Sequence, residues 1–124
     1  MKFATMALVR YWWPVTLRMP DPSNPGKIVE HTLQVQFEPE SRDEATLFQE
    51  GFADLATPRE VAEHEHGRLR RIVKNWADMS DEDGEAVPFT PENFETAIRW
   101  QWFRTAIYDA YAASLNGQEA RSGN

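Results

Sequence analysis

Trp13-Pro14-Val15-Thr16-Leu17-Arg18-Met19 and Thr32-Leu33-Gln34-Val35-Gln36-Phe37 decide the fold class of this chain. In both stretches apolar residues fall at every second position, the period of a strand with one covered face. Between them lies Pro20-Asp21-Pro22-Ser23-Asn24-Pro25-Gly26, a dense run of turn residues. The reading is an antiparallel hairpin over about residues 8–38 with a long loop. Pro14 cannot donate to a ladder, so it marks an edge or a bulge in the first strand. Trp13, Val15, Leu17 and Met19 share the apolar face, which turns Trp12 away from the core.

Beyond Pro39 the period becomes helical. Ser41-Arg42-Asp43-Glu44 is a capping box, and Ala45, Phe48, Phe52 and Leu55 follow on one stripe. Thr57-Pro58-Arg59-Glu60 repeats the start signal with proline at the first helical position. The helix it opens places Val61, Leu69, Ile72, Val73 and Trp76 within an arc of about 120°. Glu65 falls inside that arc, either near enough to the helix start to reach water, which is favoured, or as a buried charge needing a partner. Asp78 to Glu85 reads as an acidic turn, after which Thr90-Pro91-Glu92-Asn93 caps a helix carrying Phe94, Ala97 and Ile98. An unbroken helix would spread Trp100-Gln101-Trp102-Phe103 around most of its circumference, so a bend is expected there. The stripe resumes at Phe103, Ala106, Ile107, Ala110 and Tyr111, and Asn116-Gly117 ends it.

The predicted class is α+β: an N-terminal antiparallel β-hairpin followed by a bundle of three to four α-helices at about 42–116. One globular domain spans 1–117, and 118–124 is a polar tail. A chain of 124 residues with 41% apolar and 27% charged content supports one core and does not read as disordered. No apolar run approaches the roughly 18 residues a membrane helix needs. The start, Met1 to Arg10, lacks a small-residue cleavage site and fits a secretory signal poorly. The absence of cysteine removes disulfides, thiolate metal sites and cysteine nucleophiles, and fits a reducing cytoplasm.

The net charge is −7, and Asp78 to Ile98 holds seven acids with no Lys or Arg. Such a stretch repels phosphate, so nucleic acid is not an expected partner. The basic cluster Arg68, Arg70, Arg71 and Lys74 reads as the solvated face of its helix. His64-Glu65-His66 is no zinc motif, because histidines two apart point to nearly opposite sides of a helix. Solvent-exposed polar residues are the expectation there. Asp81-Glu82-Asp83-Gly84 fails as half of an EF-hand, since Met79 and Thr90 would fall at ligand positions one and twelve. An acidic β-turn with a positive-φ glycine accounts for it. The glycines are scattered singly and no serine sits in a glycine-flanked elbow, so nothing points to catalysis. No catalytic, cofactor or metal residue is assigned.

Aromatic residues number fifteen, and four of the five tryptophans form the pairs Trp12/Trp13 and Trp100/Trp102. Trp76, Phe48, Phe52 and Phe103 read as core. Neighbours on a strand face opposite ways, and residues two apart on a helix lie about 160–200° apart. At least one member of each pair is therefore a candidate for an exposed interaction surface. Trp12, Trp100, Trp102 and Tyr111 are the candidate partner-binding residues.

Ile72-Val73-Lys74-Asn75-Trp76, then Asp81 to Phe94 with its Pro88-Phe89-Thr90-Pro91-Glu92-Asn93, then Trp102 to Tyr111, resembles the C-terminal half of tail assembly chaperones of long-tailed bacteriophages. In that family an apolar-x-x-Trp stretch leads to an acidic Asp-Gly turn, a Pro-Phe-Thr/Ser-x-Glu-Asn segment and a final helix with Arg-x-Ala-apolar and an aromatic. The Phe-containing strand at Gln36-Phe37-Glu38 also suits it, and the resemblance covers roughly residues 30–112. It implies a small non-enzymatic protein of the infected host's cytoplasm. Such a protein binds the tape measure protein, keeps it soluble until the tail tube forms, and is absent from the virion. The partners implied are the tape measure protein, the tail tube protein and a second copy of the chain, with no cofactor and no membrane. The alternatives are a structural tail or head–tail joining subunit retained in the virion and a hydrolase built on His31, His64 and His66.

Overall fold

In the computed structural model, which describes residues 9–117 and Glu119, strand β1 (Tyr11–Pro20) pairs antiparallel with β2 (Ile28–Phe37) from Tyr11↔Phe37 to Pro20↔Ile28. The chain start at 1–8 and the rest of the tail lie outside the described residues. Asp21 organises the turn: its carboxylate accepts from the Ser23 backbone and the Asn24 side chain, and Gly26 takes φ +81°. Register is uninterrupted across Pro14, so that proline marks an edge strand and not a bulge. Val15 and Leu17 point inward with Leu33, Val35 and Phe37, all buried, while Trp12 faces out.

Helix α1 (Arg42–Glu50) carries the expected capping box. Ser41 Oγ accepts from the Glu44 N–H, and the Glu44 carboxylate accepts from the Ser41 N–H. The apolar stripe does not continue as α-helix. A 3-10 turn (Gly51–Asp54) tightens the chain, and of the stripe only Phe48 is buried. Helix α2 (Pro58–Ile72) starts where Thr57 Oγ1 accepts from the Glu60 N–H.

Its end corrects the sequence reading. Val73 and Trp76 belong to a third strand, β3 (Val73–Ala77), which pairs antiparallel with β2, so the hairpin is part of a three-stranded sheet ordered β1-β2-β3. The register shifts between Gln36 and Phe37, which face Asn75 and Val73, leaving Lys74 as the extra residue of a bulge. The extra residue lets Val73 and Trp76, three apart, both turn into the core, a spacing that imitates a helix. Trp76 Nε1 donates to the Val87 carbonyl at 2.8 Å and ties the 78–89 loop to the strand. In that loop the Asp81 carboxylate accepts from the Asp83 and Glu85 N–H groups, and Gly84 takes φ +80°.

Helices α3 (Pro91–Ile98) and α4 (Gln101–Leu115) complete the α+β fold. Thr90 Oγ1 caps α3 by accepting from the Asn93 N–H. Helix α4 runs antiparallel along β1, with Tyr11 Oη bonded to Ser114 Oγ at 2.7 Å near one end. The core forms where the sheet's inner face meets Leu69 and Ile72 of α2, Phe94 and Ile98 of α3, and Phe103, Ile107 and Tyr111 of α4. Each such side chain contributes about 1.5–3 kcal/mol relative to exposure.

Candidate protein-binding surface

Apolar side chains left outside this core are the first ingredient of a binding surface. Trp12 is 46% exposed on the outer face of β1, whereas Trp13 packs inward, edge-on to Tyr11 at 6.4 Å. That pair divides as strand geometry requires.

The second pair divides in exposure, Trp100 outside and Trp102 half-buried on the core, but the two rings stack and do not point to opposite sides. Helix α3 stops at Ile98, whose carbonyl accepts from Arg104 Nη1 at 2.7 Å. Trp100 then adopts an extended backbone and becomes the N-cap of α4, its carbonyl accepting from the Phe103 and Arg104 N–H groups. The expected bend is therefore at Trp100. Because Trp100 stands outside the helix, its ring is free to stack on Trp102, with centroids 6.4 Å apart and planes at 19°. Trp102 in turn meets the buried Phe103 edge-on. Trp100, 56% exposed, is the outer end of an aromatic stack rooted in the core.

Tyr111 must be corrected. It is 3% exposed, packs on Phe37 at 5.4 Å, and its hydroxyl accepts from the Glu40 N–H at 2.8 Å. Burial raises its pKa. A helical stripe residue beside Phe37 has no surface to offer a partner, so it is a core residue that also anchors the chain entering α1.

Two open grooves flank Trp100. One, about 680 Å³, lies between the start of α2 and the α3–α4 corner, with Leu55, Pro58, Val61 and Ala62 below and Glu65, His66, Arg99 and Arg104 around it. The other, about 400 Å³, runs between β1 and α4, lined by Thr16, Arg18, Gln101, Trp102, Thr105, Ala106 and Asp109. Arg99 lines the first and Gln101 and Trp102 the second, so the chain passes from one groove to the other at the Trp100 corner. Trp12 is remote, near the opposite end of β1. The grooves and their arginines were not found by sequence reasoning; the only signal was the helix break that places Arg99 and Arg104 at one corner.

No family model, curated protein or solved structure matches this chain. The surface is therefore read from its own residues. The basic cluster of α2 is not a plain solvated face. Glu40, whose side chain is 3% exposed, pairs with Arg68 and Arg71 at 2.9 and 2.8 Å, and Arg70 bridges Glu63 and Glu95. Arg68 also lies over the rings of Phe48 and Tyr108. Among the described residues Arg99 and Arg104 have no such carboxylate partner. Glu65 reaches the open groove, as its place near the helix start suggested.

His64 also departs from expectation. It is half-buried, stacked on Phe48 at 4.6 Å and edge-on to Phe52, with Nε2 bonded to the Phe48 carbonyl at 2.7 Å. It packs α2 against α1. Among the described residues no three His, Cys, Asp or Glu side chains converge to hold a metal ion. The chemistry this surface offers is apolar and aromatic contact, with a few cationic side chains at its margin.

Proposed function

We propose that this chain is a phage tail assembly chaperone that binds the tape measure protein and keeps it soluble during tail assembly. The observation that carries the reading is the stacked pair Trp100 and Trp102, the first 56% exposed and the second lining the β1–α4 groove. The resemblance over 72–111 supplies the partner's identity. Burying an apolar stripe of the partner on this pair is reversible and needs no chemistry. The site of action is the cytoplasm of the infected host, and among the described residues no helix is long and apolar enough to cross a membrane. Trp12 serves a separate contact, with a second copy of the chain or an extended partner segment, because β1 is an edge strand whose outer face it occupies.

Co-expression with the tape measure protein tests the reading. The two co-purify, the tape measure protein becomes soluble only in the presence of this chain, and the complex survives about 0.5–1 M salt because apolar burial dominates. Dissociation in that range overturns apolar dominance. The Trp12→Ala variant weakens self-association or partner binding by about 1–3 kcal/mol with a much smaller loss of folding stability. Unchanged sedimentation with a large fall in Tm would make Trp12 a folding residue. Mass spectrometry of purified virions finds the chain absent; stoichiometric amounts would make it a structural subunit.

A further inference from the structure

The 680 Å³ groove is built from helices and the loop before α2, and no strand edge lines it. Helical backbone is already hydrogen-bonded internally, so an extended peptide would gain no ladder there. A helix, whose own backbone is satisfied, suits such a seat. The floor is apolar and includes Leu55, Val61 and Ala62. Its corner is cationic, although the whole chain carries a net −7.

That cationic corner is the unusual feature. Six basic residues, Arg10, Arg18, Arg68, Arg70, Arg71 and Lys74, have carboxylates of this chain within reach. Among the described residues Lys27, Arg42, Arg59, Arg99 and Arg104 form no ion pair, and of these Arg99 and Arg104 meet at one groove. Glu65 and His66 share it, and its two arginines outnumber its one carboxylate. Arg104 Nη1 is occupied by the Ile98 carbonyl, which fixes that side chain in place and leaves the rest of its fork available.

We propose that this groove seats an amphipathic helix of the partner. The helix lays its apolar stripe on Leu55, Val61 and Ala62 and aims a carboxylate at Arg99 and Arg104. This rests on the tape measure reading of the function and deepens it by naming the segment's chemistry. The apolar stripe supplies most of the affinity, and the arginines set register and orientation.

The test uses the full chain co-expressed with the tape measure protein, in wild-type form and as Arg99→Glu, Ala62→Tyr and Lys27→Glu. All three positions are exposed, and Lys27 lies in the β1–β2 turn and does not line the groove. Melting curves confirm that each variant folds. Arg99→Glu and Ala62→Tyr each weaken the complex about tenfold, and Lys27→Glu leaves it unchanged. Full binding by both groove variants overturns the groove while the chaperone reading stands. Equal weakening by Lys27→Glu shows a general charge effect and also overturns it. If the wild type itself captures no tape measure protein, the functional reading falls and takes this proposal with it.

Discussion

From Pro58 to His66, helix α2 borders an open groove and meets α1 through the His64 ring. From Gly67 to Ile72 the same helix is pinned by ion pairs and by Leu69 and Ile72, which are wholly buried. The contrast separates two uses of charge. Arg68, Arg70 and Arg71 are consumed in holding elements together, because each meets a carboxylate from a distant part of the chain. At the open end, Arg99 and Arg104 line the groove beside the first turns of α2, with Arg104 held by the Ile98 carbonyl and no ion pair among the described residues.

Removing Glu40 should break the pinned half most. The carboxylate is almost fully covered, and its loss leaves Arg68 wedged over Phe48 and Tyr108 without a counter-charge. Glu40→Ala is expected to cost about 2–3 kcal/mol, below the range for a fully buried pair because Arg71 is partly exposed. Glu65→Ala, at the open half, should cost less than about 0.5 kcal/mol. Urea denaturation compares them, and equal losses would erase the distinction between the two halves.

A smaller effect belongs to the His64 contact. A Cβ at Gly51 would stand 2.5 Å from His64 Cε1 and 3.0 Å from Nε2. Gly51 has φ −61°, an ordinary helical value, so on propensity alone Gly51→Ala would be neutral or stabilising by up to about 1 kcal/mol. The clash reverses that sign: the ring must leave its stack on Phe48 and its bond to the Phe48 carbonyl, at a cost of about 1–2 kcal/mol. A rise in Tm for Gly51→Ala would show that His64 does not hold α1 to α2.

The elements that were legible in the sequence are those set by local rules. Ser41, Thr57 and Thr90 cap their helices because each offers a side-chain oxygen to an N–H three residues on. The alternation of β1 and β2 gave their buried faces directly. Strand β3 was not legible, because its bulge puts Val73 and Trp76 inward at a helical spacing. The state of each arginine was not legible either, since Glu40 lies 28 positions from Arg68 and Glu95 lies 25 from Arg70. At the candidate surface, Trp12 could be assigned from strand parity alone. Trp100 and Trp102 could be singled out but not oriented, since the helix break that stacks them depends on the α3–α4 packing. Tyr111 lies on the apolar stripe of its helix, and that stripe already marked it for the core where the structure places it.

The smallest predicted effect sharpens the same comparison through pH. Arg70 donates from Nε and Nη2 to both oxygens of Glu95 and from Nη1 to Glu63. Hydrogen bonding from Arg70 holds both carboxyls below the usual carboxylate range, and the same bonds raise the Arg70 pKa, so it stays charged. A carboxyl with a depressed folded-state pKa contributes stability above its unfolded value and loses it as pH falls through the folded one. The loss should therefore begin below about pH 4–5 and be complete in stronger acid. The Glu95 side chain is 38% exposed, so screening limits its pair to about 0.3–1 kcal/mol. Glu95→Gln should thus melt slightly below the wild type at pH 7, and the two curves should converge as the pH is lowered towards 2–3. About 0.5 M salt at pH 7 should narrow the same gap. A gap that persists in acid would mean the loss comes from placing an amide NH2 beside Arg70 and not from the missing charge. Hydrogen-bond geometry, and not charge, would then hold the pinned half of α2 at that point.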